Sequence, residues 1–124
     1  MENLTKIVVD YINKNNLTGL KAGTDRDSFL EIWMVTVGDR IFARSWGFAE
    51  KSWYNTFIVN NKGKIKCGRS EFNIQAIIPQ DLTAITDEIN KAYLSKYNYG
   101  ENAKYALGIT EQKHIDKTLE FIVF

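Results

Sequence analysis

Arg44 and Ser45 lie together where a predicted strand ends, and Lys51 follows six residues after Ser45. A guanidinium offers five N–H donors in a rigid fork and a hydroxyl adds one more, so the pair could hold a phosphate or a carboxylate through charge-assisted hydrogen bonds. The alternative is a surface arginine that pairs with an acidic neighbour such as Glu50. Beside this cluster, Trp46 is the candidate for a ring that faces a ligand.

The remaining reactive side chains do not suggest a catalytic group. His114 lies in the polar run EQKHID without cysteine or carboxylate at ligand spacing, so no metal site is predicted. It also lacks a nearby serine or cysteine, so no catalytic triad is predicted. The single cysteine, Cys67, is predicted to be a small buried apolar residue. One cysteine excludes an intramolecular disulfide and fits a reducing, cytoplasmic environment.

The composition predicts one globular domain over residues 1–124. The chain is 44 % hydrophobic and 25 % charged, and its formal net charge is +1. A net charge this close to zero argues against a general nucleic-acid binder, which needs a concentrated basic face. The first residues, MENLTKIVVDYINKNN, contain no basic leader and no long apolar run. They therefore predict neither a signal peptide nor a membrane span.

The elements that position Arg44 begin with a predicted β-hairpin, formed by residues 30–37 and 40–45. Both segments are rich in β-branched and aromatic residues. The connection Gly38-Asp39 suits a type II′ turn, because glycine takes the positive φ without steric cost. Since side chains alternate along a strand, Ile41 and Ala43 should share one face, and Phe42 and Arg44 the other.

Periodicity and turn residues predict the rest of the fold. The expected helices cover residues 2–14, 52–59, 82–97 (capped by Asp81) and 103–107, and the expected strands cover 17–23, 64–67, 71–78 and 118–124. The last strand, TLEFIVF, is nearly all apolar and predicts a central position in the sheet or an interface. Tyr54 and Trp53 have the size and spacing typical of core aromatic residues.

Lys62, Lys64 and Lys66 share one face of their strand. Such a row is typical of a solvated edge strand, where lysine blocks strand-to-strand aggregation. Together with Arg69, the same lysines are those that a nucleic-acid binder would use. That function is the least favoured of the alternatives because of the low net charge.

The pattern IWMVTVGDRIFARSWG…SWYNTF, then GKIKCG, AYLSKY and TLEFIVF, resembles a family of small bacterial proteins. That family in turn resembles the flavin-binding split-barrel group, which includes deazaflavin-dependent nitroreductases and pyridoxamine-phosphate-oxidase-like proteins. The similarity covers about residues 17–124. Its most specific parts are the segment Ala92 to Tyr97 and the residues Phe42, Arg44, Ser45, Gly47, Trp53 and Tyr54.

This resemblance implies an α+β fold, a split β-barrel of about six mostly antiparallel strands with flanking helices, and a homodimer. It also implies a flavin, either FMN or a deazaflavin, with Arg44 and Ser45 on its phosphate. Lys51 would be a second cation and Trp46 would face the flavin ring. With Trp53 from the same motif, the predicted cofactor-binding residues are Arg44, Ser45, Trp46, Lys51 and Trp53. No metal is implied.

Two functions from different classes therefore remain open. The first is a flavin-binding, oxidoreductase-like protein, which would bind a small phosphate-bearing ligand. The second is a small-molecule binding or protein-interaction module without cofactor or catalysis. The second rests on two observations: TDRDSFLE stands where nitroreductases have a T-T-x-G-R-x-S-G-like run, and the sequence shows no acid/base pair.

Overall fold

In the computed structural model, which describes residues 3–47 and 52–124, one antiparallel sheet curls into a half-barrel and is flanked by helices. The strands are β1 (Thr18–Ala22), β2 (Leu30–Ile32), β3 (Val35–Val37), β4 (Arg40–Arg44), β5 (Lys62–Cys67), β6 (Ser70–Ile77) and β7 (Thr118–Val123). Their order across the sheet is β2-β1-β5-β6-β7-β4-β3. The helices are α1 (Leu4–Lys14), α2 (Trp53–Val59), α3 (Leu82–Tyr97), α4 (Ala103–Gly108) and α5 (Gln112–Ile115), with a 3-10 turn at Gly100–Asn102.

The predicted hairpin is present only in part. The hairpin β3–β4 forms as expected, with Gly38 at φ +61°. The strand predicted over residues 30–37, however, is interrupted at Trp33 and Met34, and β2 pairs with β1 instead. The ring of Trp33 stacks on Tyr97 of α3 at 4.0 Å, and the Met34 carbonyl accepts a hydrogen bond from Lys96. Because α3 holds this corner, the chain bends there and β2 and β3 become the two edges of the curled sheet.

Both faces of β4 are covered. Ile41 and Ala43 belong to the core that the sheet shares with α1 and α2. Phe42 belongs to a second core, where α3 and α4 cover the other side of the strand. The predicted alternation of side chains along β4 is confirmed, and it directs Arg44 into the layer between β4, α3 and α4.

Asp81 precedes α3 as predicted, but its side chain makes no capping hydrogen bond. Its two carboxylate oxygens instead accept hydrogen bonds from Arg40, both at 2.8 Å. Arg40 also binds both carboxylate oxygens of Glu120 on β7, at 3.0 and 2.9 Å. These hydrogen bonds to Asp81 and Glu120 raise the pKa of Arg40. One guanidinium thus ties β4, β7 and the start of α3 together, which explains why Asp81 occupies the predicted N-cap position without a side-chain capping hydrogen bond.

Along β5 the lysines at 62, 64 and 66 are exposed and alternate with buried residues, as predicted. The prediction of an edge strand was wrong, because β5 lies between β1 and β6. The lysine row therefore crosses the outer face of the sheet. On the inner face, Cys67 is buried as predicted, and this burial raises the pKa of its thiol to about 11.

The predicted α+β split barrel is confirmed, with seven strands in the described residues instead of about six. The last strand, β7, lies between β6 and β4 as its apolar sequence predicted. None of the helices in the described part of the chain is long and apolar enough to cross a membrane.

Candidate functional site

A cleft of about 390 Å³ opens beside the end of β4, between the sheet and the helical layer. Aromatic rings dominate its walls, and the two charged groups among its described lining residues are Arg44 and Glu31. The aromatic lining residues are Trp33, Trp46, Trp53, Tyr93 and Tyr105, and the aliphatic ones are Leu17, Ile32 and Ile109. The volume lies within the range of about 300–1,000 Å³ that is usual for small-molecule sites.

Arg44 is only 4 % exposed, and neutral groups hold it in place. Its Nε donates a hydrogen bond to the Thr118 hydroxyl at 3.2 Å. Its Nη1 donates to the Asn90 side-chain oxygen and to the Ile109 carbonyl, the latter at 3.1 Å. Its Nη2 is buried and has no hydrogen-bond partner in the described structure. Buried polar groups nearly always have a hydrogen-bond partner, so an unbonded guanidinium nitrogen is an exception that needs an explanation.

The charge of Arg44 is also uncompensated among the described residues, because no ion pair involves its guanidinium there. Burial lowers the pKa of Arg44. The ring of Tyr93 lies 5.6 Å from the guanidinium carbon, and its hydroxyl accepts the backbone N–H of Arg44 at 2.8 Å. Burial raises the pKa of Tyr93 to about 12. A neutral tyrosine and a cation–π contact stabilise the guanidinium much less than a carboxylate would.

Trp46 forms a half-exposed wall of the cleft. Its ring stacks on the buried ring of His114 at 4.5 Å, with 11° between the planes, and meets the edge of Tyr105 at 5.5 Å. His114 is itself bonded through Nδ1 to the Ser45 carbonyl at 3.0 Å. The ring also covers Gly108 so closely that an added Cβ there would lie 2.8 Å from Cη2 of Trp46. Glycine at 108 is therefore needed for the observed position of the tryptophan.

The structure brings together three of the predicted site residues. Arg44, Trp46 and Trp53 line the same cleft, although Trp53 is mostly buried and also packs on Phe121 of the core. Ser45 is buried next to the cleft, and its hydroxyl donates a hydrogen bond to the Gly47 carbonyl at 2.8 Å. Lys51, and the alternative partner Glu50, lie outside the described residues.

Sequence reasoning missed His114, Tyr105 and Glu31. The polar run around His114 gave no sign that its ring is buried under Trp46. Tyr105 and Gly108 lie one turn apart on the short helix α4. A glycine one turn from an aromatic residue was the available sign that another ring packs against this helix. Within residues 3–47 and 52–124, no three His, Cys, Asp or Glu side chains are grouped so that they could hold a metal ion.

Two solved structures share this fold at low sequence identity. A protein from Listeria innocua described as "Putative Pyridoxamine 5'-phosphate oxidase" has a TM-score of 0.60 and 12 % identity, over 98 % of this chain and 93 % of that one. The conserved hypothetical protein Rv2991 from Mycobacterium tuberculosis has a TM-score of 0.51 and 12 % identity, over 98 % and 79 %. These likenesses concern the fold alone.

Comparison with curated proteins finds no match. The resemblance to a bacterial family with a split-barrel fold is nevertheless confirmed at that level. Residues 10–121 match the family model described as "Uncharacterized protein conserved in bacteria (DUF2255)", and the chain belongs to this family.

Proposed function

We propose that the chain binds a planar, anionic small molecule in the cleft at Arg44. One observation carries this proposal: a buried guanidinium that lines an aromatic cleft has no charged partner in the described residues and one unbonded nitrogen. Burying an unpaired charge costs several kcal/mol, at order of magnitude. An anionic group at Arg44 would offset that cost, and the rings around it favour a flat, apolar body.

The first candidate ligand is FMN, and the second is a deazaflavin, because the fold resembles that of split barrels. In this proposal Arg44 contacts the anionic group, while Trp46 and Trp53 contact the ring system. Ser45 acts through the backbone of the loop that positions Trp46, and Lys51 stays a proposed second cation. A bound flavin would supply hydride chemistry, and the protein would supply position and electrostatics. The aromatic walls fit the ring system of such a ligand, and the unbonded nitrogen of Arg44 offers one donor atom to its anionic group.

The alternative is a small-molecule binding module without cofactor or catalysis. The hydrogen bonds of Arg44 favour it, because Nε and Nη1 are already occupied by Thr118, Asn90 and Ile109. One remaining nitrogen suits a carboxylate or sulfonate better than a phosphate, which needs several donors. A module of this kind could also have a barrel completely filled by side chains, with no pocket near Arg44. The observed cleft does not agree with that arrangement.

Replacement of Arg44 by methionine should weaken ligand binding without unfolding the protein. The expected loss of affinity is at least tenfold, because a hydrogen bond to a charged group contributes about 1.5–3 kcal/mol. Stability should fall by no more than about 3 kcal/mol, because the acceptors on Thr118, Asn90 and Ile109 lose their donor while a buried charge with neutral described partners is removed. Fluorescence titration with FMN, a deazaflavin and the anionic dye 1-anilinonaphthalene-8-sulfonate measures affinity, and urea unfolding measures stability.

Two variants test the aromatic wall separately from the charge. Trp46→Leu and Gly108→Ala should each weaken dye or flavin binding, the second by displacing the ring of Trp46. Tyr99→Leu is the matched control, because it removes a half-exposed ring that does not line the cleft. Dye binding that is unchanged in Arg44→Met and Trp46→Leu would rule out the proposed site. Dye binding at the site without flavin binding would favour the module without cofactor.

We also propose that two copies pair through the outer face of β6 and β7. Ile77 on β6, Ile122 on β7 and Phe124 directly after β7 expose 36 %, 41 % and 62 % of their surface. Apolar groups gathered on one face favour a protein contact. Sedimentation at micromolar concentration should show a species of twice 14.3 kDa, and Ile122→Lys should shift it to the monomer. A wild-type sample that contains only the 14.3 kDa species would refute the dimer.

A further inference from the structure

A second cleft, of about 420 Å³, lies on the outer face of β1, β5 and β6. Four cations line it: Lys21 from β1, Arg26 from the loop after β1, and Lys62 and Lys64 from β5. None of its described lining side chains is acidic. The whole chain has a net charge of only +1, so this cleft concentrates positive charge that the composition does not reveal.

The strand register places two of these cations directly opposite each other. Lys21 pairs with Lys64 across β1 and β5, and Lys64 pairs with Asn73 across β5 and β6. Like charges directly opposite on neighbouring strands destabilise a sheet. Lys62 adds a third ammonium group on the same face, because it lies two residues before Lys64. The sheet thus carries a repulsion that a bound anion would relieve.

Among the described residues, the contacts of Lys64 and Lys21 compensate the charge of these two lysines poorly. Lys64 meets Glu71 at 3.8 Å, and both side chains are nearly half exposed, so the pair contributes little. The ammonium of Lys21 lies over the ring of Phe29 at 4.7 Å, which is a contact without negative charge. Arg26 donates a hydrogen bond to the Thr56 hydroxyl at 3.2 Å, which fixes its guanidinium at the rim of the cleft.

We propose that this cleft binds a compact polyanion that carries two or more linked phosphates. A short chain of phosphates could contact Lys21, Lys62, Lys64 and Arg26 together, and the Asn73 amide and the Thr24 hydroxyl offer further polar contacts at the same walls. A nucleic-acid backbone fits less well, because Asp27, Glu31 and Glu71 line the adjoining depression on the same face. These carboxylates interrupt the continuous basic track that a long polyanion requires.

The proposed site is independent of the cleft at Arg44. The two clefts share no described lining residue, so a failure of either proposal leaves the other standing. The two sites also differ in character. The first is aromatic with one buried cation, whereas the second is an exposed group of cations on a sheet.

Calorimetric titration of the full chain with inorganic tripolyphosphate at low salt tests the proposal. Saturable binding is expected, and Lys62→Gln/Lys64→Gln should weaken it at least tenfold. Because Lys64→Gln also removes the repulsion with Lys21, the ligand-free double variant should be at least as heat-stable as the wild type. The control is Lys14→Gln/Lys91→Gln, which makes the same change in net charge at exposed positions on α1 and α3.

The control variant should bind tripolyphosphate as the wild type does. An equal loss of affinity in both double variants would show a general charge effect and overturn the proposal. Absence of saturable binding to the wild type would overturn it as well. A single-stranded oligonucleotide that binds at the same lysines more tightly than tripolyphosphate would replace the compact polyanion by a nucleic acid.

Discussion

Gly63→Ala should lower the free energy of unfolding by roughly 3 kcal/mol, at the upper end of what overpacking a core costs. Gly63 lies in β5 opposite Ala22, and its Cα faces the ring of Phe57 in α2. An added Cβ would overlap the backbone carbonyl oxygen of Lys21 and would lie 2.8 Å from Cε1 of Phe57. The carbonyl belongs to a paired strand and cannot move aside, so β1 and β5 would have to separate locally.

Gly47→Ala is the matched control for this substitution. An added Cβ at Gly47 would meet no atom of residues 3–47 and 52–124 within 4 Å, and Gly47 does not have a positive φ. Its stability should therefore stay within about 0.5 kcal/mol of the wild type. Urea unfolding of both variants gives the comparison. A loss below about 1 kcal/mol for Gly63→Ala would mean that β1 and β5 are less closely packed around α2 than the structure shows.

Arg40→Met should destabilise the fold by roughly 2–3 kcal/mol. The substitution leaves the carboxylate of Glu120, whose side chain is 9 % exposed, without its cation. A stranded buried charge costs about 3–5 kcal/mol, and we expect less here because Arg40 is about a third exposed, which allows water to approach. Chemical denaturation at neutral pH measures the effect.

Two further variants separate the buried ion pair of Arg40 with Glu120 from its more exposed ion pair with Asp81. Asp81→Asn removes the carboxylate that is nearly half exposed and should change stability only slightly. Arg40→Met/Glu120→Gln removes the stranded charge and should recover part of the loss. If the double variant is less stable than Arg40→Met alone, then Glu120 is stabilised by something other than Arg40.

The sequence predicted best those elements whose signals are local. The helix over residues 82–97 has the predicted bounds, because its apolar stripe runs along its whole length. The break between β2 and β3 was not predictable in this way. It depends on the stacking of Trp33 on Tyr97 and on hydrogen bonds to the Met34 carbonyl from α3, and these partners lie far along the chain.

The candidate site was predictable up to the direction of Arg44 and no further. The alternation of side chains along β4 predicted which face of the strand carries Arg44, and the neighbouring tryptophans predicted that the site is aromatic. The two expected environments were an open anion site or an ion pair with Glu50. The described structure, which does not include Glu50, surrounds the guanidinium with Thr118, Asn90 and the Ile109 carbonyl. These groups come from three separate regions, and no local pattern links them to Arg44.

The position of β7 has a consequence for the order in which this chain folds. Without β7 the sheet divides into the pieces β2-β1-β5-β6 and β4-β3, because β6 and β4 are joined only through it. During synthesis both inner borders therefore stay unpaired until residues 118–123 leave the ribosome. Such unpaired strands are templates for association with other chains. Assembly of the half-barrel thus requires β7, and a chain interrupted before Thr118 would expose two unpaired strand borders in place of one continuous sheet.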